Sequence, residues 1–96
     1  MNGIHSEAAD KLFEAIISLD SVGDCYAFFE DLCTFKEIKD MSQRLEVACL
    51  LNKGMSYTKV SEMTNVSSAT ISRVKRCLDY GTGGYAKAIA ALEEKK

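Results

Sequence analysis

Apolar residues recur every three or four positions along most of this chain, which is the spacing of one face of an α-helix. The first such segment covers residues 6–19. Its apolar positions are Ala9, Leu12, Phe13, Ile16 and Ile17. Two further segments cover residues 22–33 and 34–52, and the second of them places Ile38, Met41, Leu45, Ala48 and Leu51 in one stripe. No run alternates like a half-buried strand and proline is absent, so we predict an all-α fold.

The segment over residues 22–33 is richer in large apolar side chains than one neighbouring helix can cover. Its apolar side consists of Cys25, Phe28, Phe29 and Leu32, widened by Tyr26 and Cys33. A stripe this wide predicts burial against two sets of partners, and a homodimer would supply the second set. The alternative is a helix at the centre of a monomeric bundle.

Residues with helix-capping chemistry mark the boundaries of these segments. Ser6 and Ser21 each stand where a hydroxyl would accept a free backbone N–H. Thr34 and Glu37 have the spacing of a capping box, in which hydroxyl and carboxylate each satisfy one N–H. Gly54 tolerates the left-handed conformation that ends many helices.

Residues 56–78 predict two short helices joined by a tight turn. The apolar positions of the first helix are Val60 and Met63, and those of the second are Ile71, Val74 and Leu78. Asn65 stands where the turn needs a left-handed residue, and Ser56 and Ser67 are the expected caps of the first and second helix. This arrangement is typical of a helix–turn–helix.

The exposed positions of this segment suit a DNA groove. Small residues come first on the second helix and let its backbone approach the major groove, while cations further along meet phosphates. The predicted DNA-binding residues are Lys59, Ser67, Ser68, Ala69, Thr70, Ser72, Arg73, Lys75 and Arg76. The alternative is an ordinary helical hairpin whose basic face is only solvated.

The distribution of charge supports the DNA-binding interpretation, although the net charge of the whole chain is −2. Residues 1–52 carry four Lys/Arg against ten Asp/Glu, a net charge of −6. Residues 53–78 carry five Lys/Arg against one Glu, a net charge of +4. An acidic body with a basic helix–turn–helix would orient the protein towards a duplex.

We expect one domain over residues 1–96, with dimerisation helices in 1–52, the helix–turn–helix in 56–78 and a final helix in 85–94. The glycine-rich stretch 79–84 breaks the chain after Leu78 and lacks the pattern of a phosphate-binding loop. The last helix offers Ala88, Ile89 and Leu92 for packing.

Several other classes of protein are disfavoured. No apolar run approaches the roughly 18 residues of a membrane span, and the first eleven residues do not resemble a signal peptide, so we expect a cytoplasmic protein. The four cysteines, at positions 25, 33, 49 and 77, form no C-x-x-C pair and are expected to be buried free thiols. No nucleophile–base or metal-ligand spacing is present, so we predict no enzyme activity, metal or cofactor.

Four motifs now give the chain a family likeness: CYAFFEDLCT, QRLEVA, SATISRVKRCL and YGTGGY. With them it resembles the Trp repressor superfamily, and in particular the YerC/YecD group of Trp-repressor-related proteins. The resemblance covers nearly the whole chain. It implies about six helices in an intertwined homodimer, whose two helix–turn–helix segments read the half-sites of a palindromic operator. The implied activity is transcriptional regulation, in the form of repression.

The resemblance also implies an effector pocket, in which a threonine, two arginines and a serine surround bound tryptophan. Thr34, Arg44 and Arg73 match the threonine and the arginines, with a one-residue gap needed for Arg44, and Cys77 replaces the serine. Val74 replaces the glycine against which the indole ring packs, and its branched side chain should fill that space. We therefore do not expect tryptophan to be a co-repressor.

A second function stays open at this stage. The basic hairpin could dock on an acidic partner in the transcription machinery and bind DNA only weakly, without sequence preference.

Overall fold

The computed structural model describes residues 3–95, and across them the chain forms six α-helices and no strand. These are α1 (Glu7–Ile17), α2 (Val22–Leu32), α3 (Phe35–Asn52), α4 (Tyr57–Thr64), α5 (Ser68–Tyr80) and α6 (Gly84–Glu94). The all-α class predicted from the sequence is confirmed, as is the number of helices that the family resemblance implied.

The predicted caps account for where these helices begin. The hydroxyls of Ser6 and Ser21 accept from the backbone N–H groups three residues later, at 3.0 Å in both cases. At the start of α3, the Thr34 N–H donates to Glu37 Oε1 at 2.8 Å and the Glu37 N–H donates to Thr34 Oγ1 at 3.1 Å. This reciprocal pair is the predicted capping box.

The end of α3 is a Schellman motif built on glycine. Gly54 has a φ of 89°, and its N–H donates to the carbonyl of Leu51 at 2.9 Å. The N–H of Met55 donates to the carbonyl of Leu50 at 3.3 Å. Both bonds satisfy carbonyls that the end of the helix would leave without partners.

The chain divides into two compact units, Met1–Ile38 and Lys39–Lys96. In the described part of the first unit, no residue is fully buried within the single chain. Phe28 and Phe29 meet edge to face, with ring centroids 5.7 Å apart, yet both stay half-buried. Ile17 is 80% exposed and Phe35 84% exposed. Helix α2 buries none of its residues within the single chain.

The second unit contains a hydrophobic core to which α3, α4, α5, α6 and the turn after α4 all contribute. Its buried members are Val47, Ala48, Leu50, Leu51, Val60, Val66, Ile71, Val74 and Ile89. Leu78 and Tyr85 pack against this cluster and are partly buried. The core thus lies directly behind the helix–turn–helix.

The structure corrects several details of the predicted helices. On α4, Met63 is exposed and Thr64 takes its place on the buried side, because the Thr64 hydroxyl bonds to the carbonyl of Val60 and to the turn. On α6, Ile89 is buried but Ala88 and Leu92 are exposed. Helix α5 continues past Leu78 to Tyr80 and ends at a glycine.

The cysteines also differ from expectation. All four are free thiols, but Cys25, Cys33 and Cys49 are only half-buried and Cys77 is exposed. Within residues 3–95, no three His, Cys, Asp or Glu side chains group closely enough to hold a metal ion. None of the helices in that range combines the length and hydropathy that crossing a bilayer requires.

Candidate nucleic-acid interface

Local hydrogen bonds shape the helix–turn–helix formed by α4 and α5. The Ser56 hydroxyl caps α4 by accepting from the N–H of Lys59 at 3.2 Å. Asn65 ends α4 in the left-handed region, with a φ of 59°. Ser67 then caps α5 by accepting from the N–H of Thr70 at 3.3 Å. The predicted turn and both caps are confirmed.

The turn is anchored as well as capped. Val66 lies between Asn65 and Ser67 and inserts its side chain into the core, where only 9% of it remains exposed. Ile71 and Val74 point into the same core from α5. Helix α5 is therefore fixed to the core of the second unit by the turn that precedes it and by its own first two turns.

The opposite side of α5 is open to solvent. Exposed there are Ser67, Ser68, Ala69, Ser72, Arg73 and Arg76, and on α4 the exposed set includes Lys59. Thr70 and Lys75 are half-buried. All nine residues predicted to bind DNA therefore retain accessible surface, and their assignment to DNA contacts stays a prediction.

Three of these residues already interact through their side chains within the chain. The hydroxyl of Ser67 donates to Thr70 Oγ1 at 3.2 Å, so these side chains form a pair at the start of α5. The Lys75 ammonium lies 3.3 Å from the carboxylate of Asp79, one helical turn later. This ion pair offsets part of the positive charge of Lys75 towards a phosphate. The sequence analysis missed it because the helix was expected to end before Asp79.

The four candidate effector residues are divided between the two units. Thr34 lies in the first unit and serves in the capping box, whereas Arg44, Arg73 and Cys77 belong to the second unit. Of the four, Cys77 lines an open, mostly apolar cavity of about 510 Å³. The other lining residues are Leu45, Gly81, Thr82, Gly84, Tyr85 and Ala88.

Val74 has the position that the resemblance assigned to the glycine under the indole ring. It is 2% exposed and belongs to the hydrophobic core. Its isopropyl group therefore occupies interior space, as a branched residue on the buried side of a helix should.

Sequence reasoning missed two polar residues that hold the turn. Thr64 and Ser61 both direct their hydroxyls at Val66, and Thr64 is buried in place of the more apolar Met63. The sequence does contain a signal for Thr64, because residues 60 and 64 lie on one side of a helix just as residues 60 and 63 do.

Comparison with known proteins places this fold in a family. The family model for the Trp repressor protein matches residues 7–93. The uncharacterized protein YerC of Bacillus subtilis is 47% identical over 91 residues, which cover 95% of this chain and 88% of YerC.

Two solved structures agree with this result. A TrpR-like protein from Eubacterium eligens has a TM-score of 0.91 and 44% identity, with 97% of this chain and 96% of that chain covered. A Trp repressor candidate from Staphylococcus aureus has a TM-score of 0.90 and 40% identity, with 97% and 95% covered. The chain therefore belongs to the Trp repressor family, alongside the YerC-type proteins.

Proposed function

We propose that this protein is a sequence-specific DNA-binding transcriptional regulator that acts as a repressor. One observation carries the proposal: a helix–turn–helix whose recognition helix is fixed to a core on one side and exposes small residues and cations on the other. Membership of the Trp repressor family supports the broader class of DNA-binding regulator.

The chemistry of α5 divides the DNA contacts into two kinds. Ser68, Ala69 and Thr70, near its N-terminus, would face base edges, because the first residues of a recognition helix enter the major groove. Arg73 and Arg76, further along the helix, would contact phosphates or attract the duplex. Lys59 would add a phosphate contact from α4.

The proposal includes a homodimer on a palindromic operator. Its support is the first unit, whose helices carry apolar stripes but bury no residue within one chain. A second copy would cover this surface, and two recognition helices would then read two half-sites. Tryptophan has no role as co-repressor in this proposal, because the family resemblance puts Val74 in place of the glycine against which the indole ring packs.

The test is selection of genomic fragments by the purified protein at near-physiological salt, followed by sequencing. We expect enrichment of a palindrome with half-sites about one helical turn apart. Enrichment of random fragments, together with nuclease-resistant capture of a transcription protein, would support the alternative of a protein-interaction module. Recovery of no fragment would contradict the proposal that the protein binds its operator without an added ligand.

A further inference from the structure

Two hydroxyl groups of α4 hold one residue of the turn. Thr64 Oγ1 donates to the carbonyl of Val60 at 2.8 Å and accepts from the N–H of Val66 at 3.3 Å. Ser61 Oγ donates to the carbonyl of Val66 at 3.3 Å. Side chains of the preceding helix therefore bind both polar backbone atoms of Val66.

Thr64 stands out by its burial. It is the one buried polar residue in the described part of the chain, with 9% of its surface exposed. A buried hydroxyl destabilises a core unless it is hydrogen-bonded, and Thr64 meets this condition through one donated and one accepted bond. A valine of nearly the same shape would pack here without any polar group, so what the hydroxyl adds is its hold on the turn.

These hydrogen bonds to Val66 affect the direction of the recognition helix α5. Val66 immediately precedes Ser67, the cap of α5, so the backbone at Val66 sets the direction in which α5 leaves the turn. Its side chain is fixed in the core and its peptide groups are fixed by Thr64 and Ser61. Releasing the peptide groups would let α5 tilt about the anchored side chain of Val66.

We propose that Thr64 is a positioning residue that, with Ser61, sets the orientation of α5 and thereby the discrimination between DNA sequences. The inference rests on the proposed DNA-binding function. Base contacts need atoms placed within hydrogen-bond distance, whereas attraction to phosphates tolerates small displacements. Loss of the Thr64 hydroxyl should therefore weaken binding to the operator much more than binding to an unrelated duplex.

The test compares Thr64→Val with Thr64→Ser, using the selected operator and an unrelated duplex of equal length. Thr64→Val removes both hydrogen bonds of the hydroxyl and should lower operator affinity about tenfold, because the Val66 N–H loses its partner. It should leave non-specific affinity and the salt slope unchanged. Thr64→Ser keeps the hydroxyl and should retain the specificity ratio. Amide exchange at Val66 should accelerate in Thr64→Val alone.

Thr82→Val makes the same chemical change at an exposed position outside the helix–turn–helix and should alter neither affinity. Binding is measured where circular dichroism shows every variant folded; if Thr64→Val does not fold, Ser61→Ala removes the second hydroxyl from a less buried position. Equal losses on both duplexes, or no loss on the operator, would overturn the inference and leave the proposed function standing. A wild-type protein without sequence preference would instead overturn the proposed function.

Discussion

The two compact units of this chain differ in what each buries by itself. The second unit contains all nine buried apolar residues of the described chain, whereas the first contains none. Among the described residues, the first unit exposes seven large apolar side chains, Ile4, Phe13, Ile17, Val22, Tyr26, Leu32 and Phe35, and the second exposes five, Met41, Tyr57, Met63, Tyr80 and Leu92. The second unit can therefore hold its shape through its own core, whereas the first unit leaves its apolar surface exposed to water within the single chain.

The net charge also differs between the N-terminal helices and the helix–turn–helix. Residues 1–52 carry a net charge of −6 and residues 53–78 a net charge of +4. The acidic and the basic side chains are therefore concentrated on different helices. The proposed function places association on the N-terminal helices and DNA binding on α4 and α5, and substitutions in both units test that proposal.

The largest effect is expected where a partner should cover the first unit. Leu32 on α2 is 51% exposed in the single chain, so Leu32→Asp should be harmless to a monomer. In a dimer that buries Leu32 it would place an unpaired charge in the interface, which costs about 3–5 kcal/mol and weakens association roughly a hundredfold to a few thousandfold. Sedimentation measures the change.

Met63→Asp is the matched control for Leu32→Asp, because Met63 is 54% exposed but belongs to α4. It should leave the dimer intact. If Leu32→Asp leaves sedimentation unchanged, α2 is not the dimer surface, and the proposal that the first unit mediates association is wrong.

The next effect concerns the core of the second unit. Ile71 is fully buried, and Ile71→Ala should lower the free energy of unfolding by about 3 kcal/mol, with Ile71→Val lowering it by about 1 kcal/mol. Chemical denaturation at several protein concentrations measures both. Because Ile71 is buried within one chain, its contribution should be the same at every concentration, and a loss confined to dilute protein would contradict that.

Arg76→Ala tests the basic side of the comparison. Removing this exposed cation should weaken all DNA binding and reduce the salt slope by about one. Lys11→Ala removes the same charge from α1 and should change the slope little, while Thr70→Ala should shift sequence preference more than the slope. Titrations of labelled duplex over a salt series give the slopes, and equal slopes for Arg76→Ala and wild type would exclude phosphate contact by Arg76.

The smallest effect lies in the first unit, at the capping box. The Thr34 backbone N–H, and then its hydroxyl, bond to the Glu37 carboxylate and lower the pKa of Glu37. A lowered pKa stabilises the folded state above the ordinary Glu value of about 4.3, and this contribution is lost as pH falls through the lowered pKa. Melting curves below about pH 5 should show a loss in wild type that Glu37→Gln lacks; identical acid dependence in both would contradict this.

Local chemistry could be predicted from the sequence. The caps at Ser6, Ser21, Ser56 and Ser67, and the left-handed Asn65, follow from hydrogen bonds within three residues of the chain. Such bonds depend on neighbouring residues alone, so they can be predicted from the residue types.

The side of a helix that becomes buried depends on distant parts of the chain and was harder to predict. The stripe predicted on α3 consists of Ile38, Met41, Leu45, Ala48 and Leu51. Only Ala48 and Leu51 of that stripe are buried, and the other buried residues, Val47 and Leu50, lie on a neighbouring side of the helix. Both sides are apolar, so the pattern alone could not choose between them. Thr64 was missed for the same reason, because its role depends on where the turn folds back.

The side chains that build α5 into the core and those that it offers to a duplex are separate sets. Ile71 and Val74 are buried, whereas Ser68, Ala69, Ser72 and Arg76 are exposed and contribute nothing to that core. A substitution at an exposed position can therefore change which DNA is preferred while the stability of the fold stays nearly constant. Under the proposed function, this separation would let one scaffold acquire new target sequences by single substitutions, each in a protein that still folds.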